Sequence, residues 1–87
     1  SMPTDAGRER SYKMIRVTRE LGQPFDRFTV QEVNEGARTL APIASGLTLR
    51  DLNRVGLQRA DLEGLRITES RDFSAQTAES FRAQGLL

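Results

Sequence analysis

Thr48-Leu49-Arg50-Asp51-Leu52-Asn53-Arg54-Val55-Gly56-Leu57-Gln58-Arg59-Ala60-Asp61-Leu62-Glu63-Gly64-Leu65 reads as helix, sharp stop and second helix within eighteen residues. Thr48 stands where an N-cap belongs, with Asp51 three positions on to complete a capping box. Gly56 followed by Leu57 suits a left-handed C-terminal turn closed by an apolar residue. Leu49, Leu52 and Val55 then share one face, and Leu62 and Leu65 give the second short helix an inward stripe, with Gly64 weakening its end.

Upstream, Tyr12, Met14, Ile15, Val17 and Leu21 recur at helical spacing. They predict an amphipathic helix from about Glu9 to Leu21, with Arg10, Lys13, Arg16 and Arg19 on its other side. Gly22 is placed to end it and Pro24 blocks continuation. Thr29 and Glu32 form a second capping-box pattern, after which Val30, Val33, Ala37 and Leu40 lie on one face; Gly36 weakens this helix and Pro42 sets a boundary near Ala41. Ile43 to Leu47 is the connector into the central unit. Downstream, Arg66 to Asp72 is polar except for Ile67, and Ser74 can cap a last helix carrying Ala75, Ala78 and Phe81, with Gly85 as its stop. Phe73, just before that cap, is positioned to staple onto Ala78.

No stretch alternates apolar and polar residues with paired turn signals, so the expected fold class is all-α. The expected architecture is a compact bundle of about five short helices with a helix-turn-helix-like centre. Residues 1–8 read as a loose leader, with Ser1 as the remnant of a tag, and 9–87 as a single helical domain. Its core is expected from Ile15, Val17, Leu21, Phe28, Val33, Leu40, Leu49, Leu52, Leu62 and Phe81.

Composition restricts the chemistry. The 87 residues are 37% hydrophobic and 29% charged, as for an ordinary small globular domain. Thirteen basic against twelve acidic residues give a net charge of +1, so no global field draws the chain to nucleic acid or to an anionic surface. The bases are nearly all arginine, whose flat five-donor fork suits phosphate, carboxylate and guanine edges. There is no cysteine and no histidine. Disulfides, thiolate sites and cysteine nucleophiles are therefore excluded, and the commonest general base and zinc ligand are missing. No apolar run is long enough to span a bilayer, and a cytoplasmic setting is expected.

Candidate catalytic groups fare poorly. Asp61 and Glu63, two apart on a helix, point about 200° from each other. Ser45 and Ser74 have no histidine to activate them. Glu32 and Glu35 share a helix face but lack a loop of oxygen ligands for a cation. No enzyme activity and no cofactor are expected. What remains is recognition: Arg50, Asn53, Arg54 and Arg59 cluster around the third helix and its turn, mixing phosphate-seeking forks with an amide able to read an adenine edge.

The run Arg19-Glu20-Leu21-Gly22-Gln23-Pro24-Phe25, followed by Phe28-Thr29-Val30-Gln31-Glu32-Val33, resembles the opening two helices of bacterial helix-turn-helix and winged-helix DNA-binding domains, with no wing read downstream. That resemblance implies a reading helix beginning at Thr48, with Arg50, Asn53 and Arg54 toward the major groove. Arg54 to Glu63 is also similar to the tail motif of very short arginine-rich bacterial proteins and to a helix-hairpin-helix. The sequence thus leads to the expectation of a non-enzymatic, bacterial or phage-type regulatory module that binds duplex DNA. The alternative is an adaptor, or a homodimer, that docks a protein partner through an apolar helix face.

Overall fold

The computed structural model describes residues 14–21, 26–33 and 39–87, with the backbone alone for 39–42. The expected leader, the start of the first expected helix, Gly22, Pro24, Gly36 and Ala37 lie outside the described residues.

The fold is α+β, which corrects the all-α expectation. Four strands, β1 (Met14–Arg19), β2 (Phe28–Val33), β3 (Thr39–Leu47) and β4 (Ser70–Phe73), form one antiparallel sheet in the order β3-β2-β1-β4. Two helices are described, α1 (Leu49–Arg54) and α2 (Ala75–Ala83), with a 3-10 turn at Arg59–Leu62. Strands occupy much of the ground on which the first two helices were expected. In β1, Ile15 and Val17 point to the core while Met14, Arg16 and Thr18 do not, a period of two with β-branched residues that a hairpin partner stabilises. Tyr12, Met14, Ile15, Val17 and Leu21 also match a helical wheel. Across so short a segment, pairing with β2 and β4 decides the outcome.

One face of the sheet carries the core. Ile15, Val17, Phe28, Val30 and Leu47 pack with Leu52, Val55, Leu57, Leu62 and Leu65 from the central unit and with Ala78 and Phe81 of α2, while Phe73 packs against this cluster. Leu21, expected in the core, is 69% exposed; Leu49 is only partly buried. The opposite face is polar where β1 meets β4. There Arg16 grips Asp72 through two hydrogen bonds of 2.8 and 3.0 Å, and the Thr18 and Ser70 hydroxyls lie 2.7 Å apart.

The third core-facing position of β2 is Glu32, a buried carboxylate. Arg82 of α2 donates to its Oε1 at 2.7 Å, so the ion pair fastens the helix across the sheet. The supposed capping box is therefore two tertiary contacts: Glu32 binds Arg82, and the Thr29 hydroxyl donates to Glu20 at 2.7 Å. The same Glu20 oxygen accepts the Gly46 N–H at 2.8 Å. Gly46, with φ of 71°, sits where β3 carries an extra residue relative to β2. Glu20 thus clamps the ends of three strands.

The locally encoded ends read from the sequence are present. Thr48 and Asp51 form the capping box of α1. Leu57 donates to the Leu52 carbonyl and Gly56 to that of Asn53, closing the helix in a Schellman turn. Ser74 caps α2, and Leu86 and Gly85 repeat the Schellman pattern on Phe81 and Arg82.

The helix-turn-helix centre is overturned, and nothing in the fold supports DNA binding or transcription regulation. β3 runs directly into Thr48, α1 is only six residues and therefore about 9 Å long, and the element after it is a 3-10 turn. No helix among the described residues is long and apolar enough to cross a membrane.

Two predictions follow from the polar clamps. Arg82→Ala is expected to destabilise the fold by about 2 kcal/mol in urea unfolding, less than for a fully enclosed pair because Arg82 is a third exposed. Adding Glu32→Gln should recover part of this loss, because it removes the buried charge that Arg82 had balanced; a double variant no better than the single one would show that the pair is uncoupled. The second concerns pH. The Gly46 N–H, the Thr29 hydroxyl and the charge of Arg27 hold the Glu20 carboxyl below its ordinary range, outweighing desolvation. A depressed folded pKa gives stability that is full above the unfolded value of about 4.3 and is lost as pH falls through the lower folded value. The stability difference between the native chain and Glu20→Gln should therefore be flat above about pH 5 and shrink below about pH 4.

Candidate recognition cleft

The end of the sheet at which β1 finishes and β2 begins faces the loops after α1, and a cleft of about 290 Å³ opens there. Its floor is apolar, made by the buried side chains of Phe28, Leu62 and Leu65. The Schellman turn and the 3-10 turn deliver the two leucines: Gln58 begins the turn with its N–H on Asp61 Oδ2 at 2.7 Å, and Leu65 closes back onto the Leu62 carbonyl at 3.0 Å.

Arg19 braces the cleft from the last position of β1. Its Nη1 donates to the Leu65 carbonyl at 3.0 Å and its Nη2 to Asp26 Oδ1 at 2.6 Å, so one guanidinium joins the loop, the strand and the start of β2. The backbone of Arg19 makes a second link, accepting from Thr68 N–H at 2.7 Å and donating to the Glu69 carbonyl at 3.0 Å. Arg59 and Glu63 stand exposed on the rim.

Arg66 to Glu69 form a tight turn closed by the Glu69 N–H on the Arg66 carbonyl at 2.9 Å. Its third residue, Thr68, has φ of 67°, a position that turns of this kind normally give to glycine or asparagine. A β-branched residue in the left-handed region is strained. The turn holds Ile67 at 47% exposure, and Leu21 lies exposed beyond the end of β1. Each is two residues from a residue lining the cleft, Leu65 and Arg19 respectively. Leu21 and Ile67 are thus exposed aliphatic residues close in sequence to two residues that line the hollow.

The residues expected to bind nucleic acid divide into two groups. Arg50, Asn53 and Arg54 are exposed on α1 and share a face through their spacings of three and four. Arg54 lies 3.8 Å from Asp51 within the same helix. Arg59 belongs instead to the cleft. Of the carboxylates considered for chemistry, Asp61 caps the 3-10 turn and Glu63 stands on the rim. Sequence reading missed Arg19 and Asp26, whose meeting depends on hairpin pairing. It also missed Thr68, since a β-branched residue carries no turn signal, and it assigned Leu21 to the core.

No protein-family model matches the chain, and comparison with curated proteins and with solved structures returns no match.

Strain at Thr68 yields a prediction. Relief of roughly 1–2 kcal/mol of left-handed strain, set against about 0.5–1 kcal/mol of extra chain entropy for glycine, leaves Thr68→Gly more stable by about 0.5 kcal/mol. Thr68→Ala keeps a Cβ in the same backbone region and should show no gain. Thermal unfolding of the two variants beside the native chain distinguishes these outcomes.

Proposed function

We propose that the domain is a non-enzymatic protein-interaction module, whose docking surface is the sheet-end cleft with Leu21 and Ile67 on its margins. The observation that carries this reading is a hollow lined by Phe28, Leu62 and Leu65, with the exposed aliphatic residues Leu21 and Ile67 two positions along the chain from its lining. Large apolar side chains concentrated at one site mark interaction surfaces, and binding energy at such surfaces centres on an anchor side chain in a pocket. At about 290 Å³ the hollow lies at the lower limit of small-molecule sites, which suits a single large side chain better than an organic cofactor.

The apolar helix faces do not offer themselves for this role. Leu52 and Val55 at α1, and Ala78 and Phe81 of α2, are already buried in the chain's own core. The adaptor reading therefore moves from a helix face to the end of the sheet. A cytoplasmic setting, expected from the cysteine-free composition, accompanies this proposal.

Peptides selected against the folded domain from a random displayed library provide the test. They are expected to shift the backbone amides of Arg19, Gly64 and Leu65. Leu21→Ser with Ile67→Ser should weaken them at least tenfold, while stability changes by no more than about 0.5 kcal/mol. Peptides that bind the double variant unchanged, or amide shifts confined to other surfaces, would overturn the reading. Salt-steep binding to random duplex that Arg50→Ala with Arg54→Ala abolishes would instead transfer the function to the exposed face of α1.

A further inference from the structure

We propose that the outer edge of β4 is a strand-addition site: an extended segment of a partner protein pairs antiparallel with Ser70–Phe73 as a fifth strand, setting an apolar side chain beside Phe73 and polar ones beside Ser70 and Asp72. None of these four residues lines the cleft, so the two surfaces are tested independently.

Main-chain hydrogen bonding fixes which way β4 faces. The Arg19 N–H donates to the Glu69 carbonyl at 3.0 Å, and the register continues through Val17 with Arg71 and Ile15 with Phe73. Toward β2 the alternate residues bond, as Glu20 just past the end of β1 does with its N–H on the Arg27 carbonyl at 2.9 Å. Bonding positions in an antiparallel pair recur at every second residue, so Arg71 and Phe73 spend their peptide groups on β1 while Ser70 and Asp72 turn theirs away from it. The strand order ends at β4, and both of these residues are exposed. Among the described residues the main-chain N–H and C=O of Ser70 and Asp72 have no hydrogen-bond partner.

Donors and acceptors alternating along one exposed margin are matched by another extended backbone. Charged side chains often guard such a margin, but both here are engaged within the domain: Asp72 holds Arg16, and Arg71 Nη1 donates to the Asp61 carbonyl at 2.7 Å. A second copy is a poor occupant. A two-fold axis through Arg71 sets that residue against itself, and one through Asp72 opposes two aspartates, while one through Ser70 runs each copy into the other's turn at 66–69. The added segment therefore belongs to a different chain. Its side chains fall alternately on the two faces of the sheet. Phe73, half-buried against the core cluster, favours an apolar neighbour on one face; the Arg16 and Asp72 pair and the Thr18 and Ser70 hydroxyls make the other polar.

The end-blocked heptapeptide Lys-Thr-Val-Thr-Val-Thr-Lys tests this on the whole chain, titrated to millimolar concentration with amide shifts and amide hydrogen exchange recorded. Binding is expected to shift Ser70 to Phe73 and to slow exchange at Ser70 and Asp72, whereas Arg71 and Phe73 exchange slowly already in the free chain. Methylating the three threonine nitrogens of the peptide removes the N–H groups that face β4 and should weaken binding by about tenfold. Methylating the two valine nitrogens, which point away, should change it by less than about threefold. In the protein, proline is compatible with an edge position whose N–H faces outward. Asp72→Pro should therefore weaken binding by about tenfold, while Asp72→Asn, which keeps that N–H, stays within about threefold. Should the proline variant lose its circular dichroism, the two methylated peptides decide alone. Equal losses from threonine and valine methylation, fast exchange at Ser70 and Asp72 in the saturated complex, or shifts confined to the cleft amides of Arg19, Gly64 and Leu65 would each overturn the proposal. So would the absence of any shift at 70–73, or concentration-dependent dimerisation that Asp72→Pro abolishes, which would assign the edge to a second copy.

Discussion

A carboxylate inside an apolar layer has to be answered, and the pairing of Glu32 with Arg82 is the constraint around which this fold is arranged. Burial of an unpaired charge takes a large share of the stability that a small domain has in reserve. Arg82, in the last turn of α2, meets the third core-facing position of β2 with the opposite charge. Once α2 is there, Ala78 and Phe81 cover β1 and the core of the sheet closes. The polar contact sets where the helix lies, and the apolar contacts provide most of the stabilisation.

Order at the opposite end of the sheet comes from a different device. Glu20 gathers the Thr29 hydroxyl and the Gly46 amide on one oxygen, and Arg19 reaches from the neighbouring position to Leu65 and Asp26. Two consecutive residues at the end of β1 thereby organise both the strand termini and the loops that form the cleft. The cleft is braced by groups already paired, while Arg59 on its lining is exposed to solvent. Such a division between supporting and available side chains is what a preorganised surface requires.

Local signals in the sequence translated faithfully into structure. Thr48 with Asp51, Gly56 with Leu57, Ser74 and Gly85 act as caps and stops, because each depends on backbone groups within a few residues. The strands were illegible because their evidence is nonlocal. Met14 to Arg19 satisfies both periodicities, and only its partners select one. Phe28 to Val33 places glutamate where alternation calls for an apolar residue, and the compensating arginine is fifty positions away. The same limit applied to the site: Arg59 was legible as a surface cation, but its cleft requires Arg19 and Leu65 to meet across 46 residues.

The irregular course of β3 has an outcome for the molecule in company. Between its pairings with Gln31 and Glu32 the strand inserts Ala41 and Pro42, and nearer its end a further residue at Ser45-Gly46. Proline offers no N–H, and the two interruptions break the regular row of donors and acceptors that an incoming strand would copy. This margin of the sheet is a poor template, so head-to-tail stacking of copies through β3 into a fibre is disfavoured, whatever meets β4. An exposed flank on such a domain can offer apolar side chains to a partner while the chain avoids polymerising with itself along that border.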